Sequence, residues 1–144
     1  MSLTGTYDEA NIFAKIIRGE MPAIKVYEDA QVLAFLDVFP QSPGHCLVIS
    51  KTAQARNLFD IAPSDLTAIT LAVQKVAKAV RDALKPDGVV ITQFNGAPAG
   101  QTVFHLHVHI IPRYDGIALA GHGHGQMADM NELKATASKI AAAL

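Results

Sequence analysis

The chain has 144 residues, of which 50% are hydrophobic and 17% charged, so we expect a single domain with a buried core rather than a disordered chain. Twelve Lys and Arg residues against thirteen Asp and Glu give a formal net charge of −1. This balance argues against nucleic acid or an anionic membrane surface as a partner. The chain has one cysteine, no apolar run near the roughly 20 residues of a membrane span, and no visible signal peptide, so we expect a cytoplasmic protein.

The first part of the chain predicts a short helix and three strands. Residues 1–8 predict a loose polar arm, and apolar residues recur at helical spacing over residues 9–18. Gly19 and Pro22 then end this helix. Residues 24–27 and 32–36 predict a β-hairpin, and residues 45–49 predict a third strand after a Pro-Gly turn.

The second part of the chain predicts the longest helix, two more strands and a C-terminal helix. The long helix follows Pro63 with Ser64 as its N-cap, and Pro86 and Gly88 end it. Its apolar residues form one stripe: Leu66, Ile69, Val73, Val76, Ala77, Val80 and Leu84. Residues 89–94 and 104–111 predict strands, and the Ala-rich residues 129–144 predict a helix. Because strands and helices do not alternate strictly, we expect one α+β domain over residues 1–144 with a mainly antiparallel sheet.

Three of the six histidines fall within five residues, at His105, His107 and His109. In a strand, alternate side chains share a face, so the three imidazoles are expected to project from one face of the sheet. Four apolar side chains would project from the other face: Phe104, Leu106, Val108 and Ile110. We therefore expect one face to pack on the core and the other to bind a ligand or to react.

Three interpretations of this strand are open. Histidines at half-exposed sheet positions can have no function at all. Zinc is a second interpretation, but the backbones of His105 and His109 would lie roughly 13 Å apart, so at most two of the three could bind one ion. The missing ligands would then come from among Asp37, His45, His122 and His124. Third, a neutral imidazole can act as the nucleophile of phosphoryl or nucleotidyl transfer.

The sequence at residues 105–111, HLHVHII, resembles the His-x-His-x-His-x-x motif of the histidine triad (HIT) family of nucleotide hydrolases and transferases. Further segments resemble the branch that contains the Hint proteins, in the same order along the chain. They are residues 12–22 (IFAKIIRGEMP), 33–37 (LAFLD), 43–49 (PGHCLVI), and Asn95 with residues 100–103 (GQTV). The resemblance covers residues 11–113 and leaves residues 114–144 as a C-terminal extension. It implies the HIT fold, in which a short N-terminal helix, one long helix and a C-terminal helix accompany the sheet.

The resemblance implies a covalent mechanism centred on the middle histidine. His107 would attack the α-phosphorus of a nucleoside 5′-phosphate derivative, and water would hydrolyse the resulting nucleotidyl-histidine. His109 and His45 would form hydrogen bonds around the phosphate and the nucleophile, and His105 would complete the cluster.

The resemblance also implies the residues that contact the substrate. Gln101 and Thr102 would lie near the leaving group, where a hydroxyl can donate a proton, and Asn95 would contact the phosphate or the leaving group. Asp37 would accept hydrogen bonds from the ribose hydroxyls. An apolar slot for the purine would be formed by Ile12, Phe13, Ile16, Phe35 and Val38, although their pattern alone fits a core better than a pocket.

We expect neither a cofactor nor a metal, because the sequence has no P-loop pattern and no acidic cluster for magnesium. Imidazoles, Gln101 and the backbone amides of residues 95–102 would then offset the phosphate charge, with Gly96 and Gly100 allowing close approach. Many bacterial relatives hold a structural zinc ion with a Cys-x-x-Cys pair and a histidine. This chain has Asn11, Ala14 and Gln54 at those positions, so we expect no structural zinc.

The expected function is hydrolysis of purine nucleoside 5′-phosphoramidates or related AMP conjugates, by a homodimer formed, as the resemblance implies, through the long helix and a strand. One alternative is hydrolysis of dinucleoside polyphosphates of the Ap4A type. Others are a nucleotide-binding regulatory protein with weak catalysis and a zinc-binding protein that uses His107 with its neighbours. For residues 121–125 (GHGHG), outside the shared core, we expect a loop or an additional leaving-group or metal contact.

Overall fold

The computed structural model describes residues 2–120 and 126–144. In chain order the elements are α1 (Ile12–Ile17), β1 (Lys25–Glu28), β2 (Val32–Leu36), β3 (Cys46–Ser50), α2 (Pro63–Leu84), β4 (Gly88–Thr92), β5 (His107–Arg113) and α3 (Met130–Ala142). The strands form one five-stranded sheet in the order β1-β2-β3-β5-β4, and each neighbouring pair is antiparallel. The predicted α+β fold with its three helices is therefore confirmed. Within the described ranges, no helix has the length and apolar character needed to span a bilayer.

Alternating side chains divide the central strands between two apolar clusters. The cluster that we call the helix face packs against α2 and α3 and includes Val32, Ala34, Leu36, Cys46 and Val48. The cluster that we call the α1 face includes the intervening strand residues together with two residues of α1: Leu33, Phe35, Leu47, Ile49, Phe13 and Ile16. This period-2 pattern holds in both β2 and β3. Each side chain of β5, the next strand of the sheet, therefore lies on the same face as the β3 residue with which it pairs.

Helix α2 begins at Pro63, and its N-cap residue is Ala62 rather than the predicted Ser64. No side chain caps the first turn, but Pro63 has no amide hydrogen that would need an acceptor there. The Asp65 carboxylate lies in the same turn, where negative charge is favourable. The helix ends before Lys85, which adopts the left-handed conformation with φ 52°. Its buried side chains lie on the predicted stripe or beside it: Ile69, Ala72, Val73, Val76, Ala79 and Val80.

The N-terminal arm is fixed against the body of the protein, which corrects the prediction of a loose segment. The Arg56 guanidinium donates hydrogen bonds to the carbonyls of Thr6 and Ser2, at 3.2 and 2.9 Å. The Asn57 side chain donates to the carbonyl of Leu3 at 2.8 Å. These partners lie 50 to 54 residues along the chain, so the local polar composition of the arm contained no sign of them.

Strand β4 forms one edge of the sheet and has an unusual amount of exposed apolar surface. Val89 and Val90 are each 36% exposed and Ile91 is 48% exposed. Strand β4 pairs with β5 on one side only. An exposed apolar edge strand is suited to pairing with another strand.

Candidate active site

The histidine strand begins at His107, later than the predicted start at residue 104, and runs to Arg113. His109 pairs with Leu47 and His107 pairs with Ile49, so both imidazoles lie on the α1 face. His105 precedes the strand, but it is also buried, as are the other two. The sheet register thus brings His107 and His109 to one side, as the alternation predicts, and His105 joins them from just before the strand, since Phe13 contacts the rings of both His105 and His107.

Three of the four apolar side chains in this segment occupy the helix face as expected. Leu106 and Ile110 are buried in that core and Val108 packs against it. Phe104 does not, because its ring lies under the Arg56 guanidinium, 4.8 Å from ring centroid to Cζ. The strand has not begun at this residue, so strand alternation does not fix its direction.

The orientation of His107 is set by the backbone. Its Nδ1 lies 2.7 Å from the carbonyl oxygen of His105, which can only accept a hydrogen bond. Nδ1 must therefore carry the ring proton in the neutral imidazole, and Nε2 is the unprotonated nitrogen. A neutral histidine held in this tautomer has its nucleophilic lone pair on Nε2.

His45 and His109 form a second hydrogen-bonded unit. The backbone amide of Gln41 donates to Nδ1 of His45 at 3.0 Å, so neutral His45 carries its proton on Nε2. That Nε2 lies 2.9 Å from Nδ1 of His109, to which it donates. His109 therefore carries its own proton on Nε2. The backbone amide of Gln41 thus determines the donor direction of the hydrogen bond between His45 and His109, and with it both tautomers.

His105 is held at both ring nitrogens. Its Nε2 donates to the carbonyl of Ser50 at 3.1 Å, and the hydroxyl of Tyr7 lies 2.6 Å from its Nδ1. Because Nε2 faces an acceptor, Nδ1 is the acceptor for the Tyr7 hydroxyl. Burial lowers the pKa of His105 to about 4, opposed by the hydrogen bond to Ser50 and assisted by the nearby His107. His105 is therefore neutral near pH 7.

Aromatic rings flank the imidazoles on two sides. The edge of Phe13 in α1 meets His107 at 4.9 Å between ring centroids, with an interplanar angle of 83°. Phe94, beyond the end of β4, lies 5.3 Å from the ring of His109. Phe94 and Tyr7 were missed by the sequence reasoning. Phe94 follows Thr92 by two residues, and Thr92 pairs with His109, so alternation continued past the end of β4 directs Phe94 to the histidine side once this register is known. The sequence around Tyr7 carries no such signal.

Asp37 lies beside the His45–His109 unit, at the end of β2. One carboxylate oxygen accepts from the amide of Phe39 at 2.8 Å, and the other lies 3.7 Å from Nε2 of His45. Its side chain is 21% exposed, whereas the side chain of His45 is fully buried. The carboxylate therefore lies at the border between the buried imidazoles and solvent, where a ligand can reach it.

The five residues predicted for the purine slot do not all share one surface. Phe13, Ile16 and Phe35 are buried together in the α1 face, and Ile12 is 45% exposed beside them. Val38 instead packs against the helix face. It follows Asp37 beyond the end of β2 and is only partly buried, so its assignment to the slot stays a prediction.

The loop after β4 contains three further predicted site residues. The buried Gln101 amide accepts from the amide of Gly96 and donates to the carbonyls of Arg56 and Val103. Asn95 accepts from the amide of Leu58 at 2.9 Å. Gln101 and Asn95 thus hold the loop in place, and Gln101 could donate its side-chain N–H to a leaving group only by breaking one of its two donated bonds. Thr102 is exposed.

The backbone amides of this loop are used within the protein. Gly96 donates to Gln101, Ala97 donates to Ser2, and Ala99, Gly100 and Gln101 donate to carbonyls of the same loop. Residue 98 is proline and has no amide hydrogen. The expectation that residues 95–102 supply amides to a phosphate is therefore corrected for residues 96–101 and stays a prediction for Asn95 and Thr102. The positive φ of Gly96 (87°) and Gly100 (109°) forms the tight turn instead.

Among residues 2–120 and 126–144, ligand atoms of Asp37, His45 and His109 lie within 4.8 Å of one another. A metal ion at this point would need the Nε2 lone pair of His45. The Gln41 amide places the proton of His45 on that nitrogen, so the hydrogen-bonded arrangement disfavours coordination. His107, which the zinc interpretation used, does not belong to this group.

The positions that would hold structural zinc in relatives have other functions in this chain. Asn11 is the N-cap of α1 and accepts from the amide of Ala14 at 2.9 Å. Gln54 donates to the carboxylate of Glu9 at 3.0 Å. The absence of a structural zinc ion remains a prediction from these residue types. His122 and His124 lie outside the residues that the structure describes.

Comparisons with known proteins agree with this geometry. The family model described as HIT domain matches residues 18–116. "Protein hit" of Bacillus subtilis is 43% identical over 133 residues, covering 90% of this chain and 91% of the relative. Adenylylsulfatase HINT3 of Arabidopsis thaliana is 43% identical over 102 residues, covering 71% of this chain and 51% of the relative. The crystal structure of a Hit-like protein involved in cell-cycle regulation from Bartonella henselae, with unknown ligand, superposes with a TM-score of 0.88 at 50% identity, covering 96% and 100% of the two chains.

Proposed function

The chain belongs to the HIT family of nucleotide-binding hydrolases and transferases, and from this premise we propose that it hydrolyses purine nucleoside 5′-phosphoramidates and related AMP conjugates. The observation that carries the proposal is the hydrogen bond from Nδ1 of His107 to the carbonyl of His105. It makes Nε2 the unprotonated nitrogen of a buried imidazole, as attack on phosphorus requires.

The reaction proceeds in two displacements at the α-phosphorus. In the first, the lone pair on Nε2 of His107 forms a P–N bond while the bond from phosphorus to the leaving group breaks. The leaving group departs with the bonding pair and takes up a proton. In the second, water attacks the same phosphorus and the P–N bond breaks with its electron pair returning to Nε2. One proton of the water replaces the proton given to the leaving group, so AMP is released and neutral His107 is regenerated.

Charge on the phosphate is offset by imidazole donors. The Nε2–H of His109, fixed by the hydrogen bond from His45, is a donor on the same side of the sheet as His107. The two rings lie 5.0 Å apart between centroids, close enough to contact one phosphoryl group. Such prearranged donors stabilise charge that develops in the transition state.

The remaining proposed contacts follow the resemblance to the family. Asp37, at the exposed border of the site, accepts hydrogen bonds from the ribose hydroxyls. Ile12, on the exposed side of α1, contacts the purine, with Phe13, Ile16 and Phe35 forming the buried floor behind it. Exposed Thr102 faces the leaving group and donates a proton to it.

A substrate panel distinguishes the proposed reaction from its alternatives. Turnover of an adenosine 5′-phosphoramidate, diadenosine tetraphosphate and adenosine 5′-phosphosulfate should be compared at equal concentration in the presence of chelator. We expect the phosphoramidate to have the highest kcat/KM. Preference for the tetraphosphate would replace the proposal by the dinucleoside polyphosphate alternative, and AMP binding without any turnover would favour a regulatory protein.

We also propose that the protein is a cytoplasmic homodimer that needs no cofactor. Strand β4 has an unpaired edge with exposed Val90 and Ile91, and Leu71 on α2 is 63% exposed. Pairing two β4 edges while α2 packs on its symmetry mate would bury these side chains. Its lone Cys46 is buried in β3 and makes no disulfide, as is typical of proteins from a reducing compartment.

A further inference from the structure

Tyr7 contacts the candidate site although it lies in the N-terminal arm, 98 residues before its partner in the sequence. Its hydroxyl is 2.6 Å from Nδ1 of His105, and the two rings meet edge to face at 5.7 Å. The arm is held beside the site because Arg56 binds the carbonyl of Thr6 next to Tyr7. The phenol therefore bonds to Nδ1 of buried His105, whose other ring nitrogen, Nε2, is bonded to the Ser50 carbonyl.

His105 needs this support because it lies outside the sheet ladder. Strand β5 begins at His107, and its ladder with β3 ends at the pair of Ile49 with His107. Strand pairing therefore does not hold the backbone at residue 105, although the following amide, of Leu106, donates to the carbonyl of Ala55 at 2.9 Å. The His105 side chain adds two further connections, with Nε2 bonded to the Ser50 carbonyl and Nδ1 to the Tyr7 hydroxyl.

The position of this residue matters because its carbonyl oxygen accepts the Nδ1 hydrogen of His107. We propose that Tyr7 is a positioning residue: by holding the His105 ring it keeps this carbonyl in place and so maintains the nucleophilic tautomer of His107. The role of His107 as nucleophile in this inference rests on the proposed function, whereas the contact between Tyr7 and His105 does not.

Together with burial, the hydrogen bond from Tyr7 favours the neutral form of His105. A hydroxyl that donates to Nδ1 stabilises the unprotonated ring and opposes its protonation. The groups that face His105 are Tyr7 from the arm, His107 from β5 and the Ser50 carbonyl. Asp8, Glu9 and Arg18 lie near Tyr7, and burial raises the pKa of its phenol, so it remains a donor near neutral pH.

The test compares Tyr7→Phe with Tyr27→Phe, which removes a hydroxyl bonded to Asp29 on the surface. In Tyr7→Phe we expect kcat for an adenosine phosphoramidate to fall about fivefold to twentyfold, as loss of one buried hydrogen bond predicts, with KM within about twofold. Nitrogen-15 NMR of labelled histidines should show a higher pKa for His105 and a lower population of the Nδ1–H tautomer of His107. Tyr27→Phe should match the wild type in every measurement.

The NMR and kinetic results separate this inference from the proposed function. Unchanged His105 titration and an unchanged His107 tautomer in folded Tyr7→Phe would overturn the inference, whatever happens to kcat. If the wild type turned over no nucleotide conjugate, the proposed function would fail. The His107 tautomer in Tyr7→Phe would still decide whether Tyr7 positions that ring.

Discussion

The carboxylate Oδ2 of Asp37 lies 3.7 Å from Nε2 of His45, which in turn donates to His109. A ligand that bonds to Asp37 is therefore placed next to the imidazoles that surround His107. In a nucleotide, the ribose and the α-phosphate are adjacent groups, so this spacing suits a sugar bound at Asp37 and a phosphoryl group bound at the histidines. Asp37 is partly exposed whereas His45 is buried, so a ligand can reach this pair from the side of Asp37.

This relationship predicts that Asp37→Asn weakens nucleotide binding more than it slows the chemical step. Loss of the charged acceptor should raise KM for an adenosine phosphoramidate about tenfold, with kcat changed less than about threefold. Asp29→Asn is the matched control, since Asp29 also accepts backbone amides in a turn but lies away from the site. An unchanged KM in Asp37→Asn would remove this residue from the ribose site.

Thr102 is predicted to assist departure of the leaving group. Thr102→Ala should slow substrates with poorly departing alkylamines about tenfold or more, and substrates with good leaving groups much less, because only the former need a proton in the transition state. Thr67→Ala, on the exposed side of α2, provides the control. Equal slowing across a series of leaving groups would contradict proton delivery by Thr102.

Burial of neutral His105 makes stability depend on pH. Its pKa is about 4 in the folded protein and near 6.5 when unfolded, so the unfolded chain takes up the proton first as the pH falls. Well above pH 6.5, His105 is neutral in both the folded and the unfolded state, and the effect is absent. As the pH falls from there to about 4, protonation of the unfolded chain progressively lowers the free energy of unfolding. Between pH 7.5 and 4.5 the wild type should lose about 2 to 3 kcal/mol more unfolding free energy than His105→Gln. Denaturant titrations at both pH values measure this difference, and equal losses would contradict it.

The exposed edge of β4 predicts the assembly. Val90→Glu places a charge on the surface proposed to pair across the dimer axis, and it should shift the protein from dimer to monomer in sedimentation at micromolar concentration. Leu144→Glu also adds a charge at an exposed apolar residue, but away from β4, and it should leave the mass unchanged. A Val90→Glu protein that stayed dimeric would place the interface elsewhere.

Much of the fold followed from local patterns. The bounds of β2 matched the prediction, and the alternation around His107 and His109 placed both rings on one face because the neighbouring strands share that period. The errors arose where partners are distant in sequence. Nothing near Tyr7 indicates a contact with His105, and composition alone does not reveal that Arg56 fixes the arm.

The individual site residues were less predictable than the strands. Gln101 was expected near the leaving group, but its amide bonds to three backbone groups that only the folded loop brings together. Val38 was expected in the purine slot, but it lies beyond the end of β2 and packs against the helix face, which strand alternation could not predict. The resemblance to the family points to the residues of the site, whereas the role of each depends on hydrogen bonds and packing that only the folded chain shows.

The central claim is that His107 attacks phosphorus without a metal ion. The most direct measurement is turnover of a fluorogenic adenosine 5′-phosphoramidate in excess chelator by the wild type and by His107→Ala, with a folded state confirmed for both. We expect full wild-type activity and a loss of about 10³-fold or more in the variant, as removal of a nucleophile produces. Activity that persisted in His107→Ala, or that chelator abolished in the wild type, would contradict the mechanism.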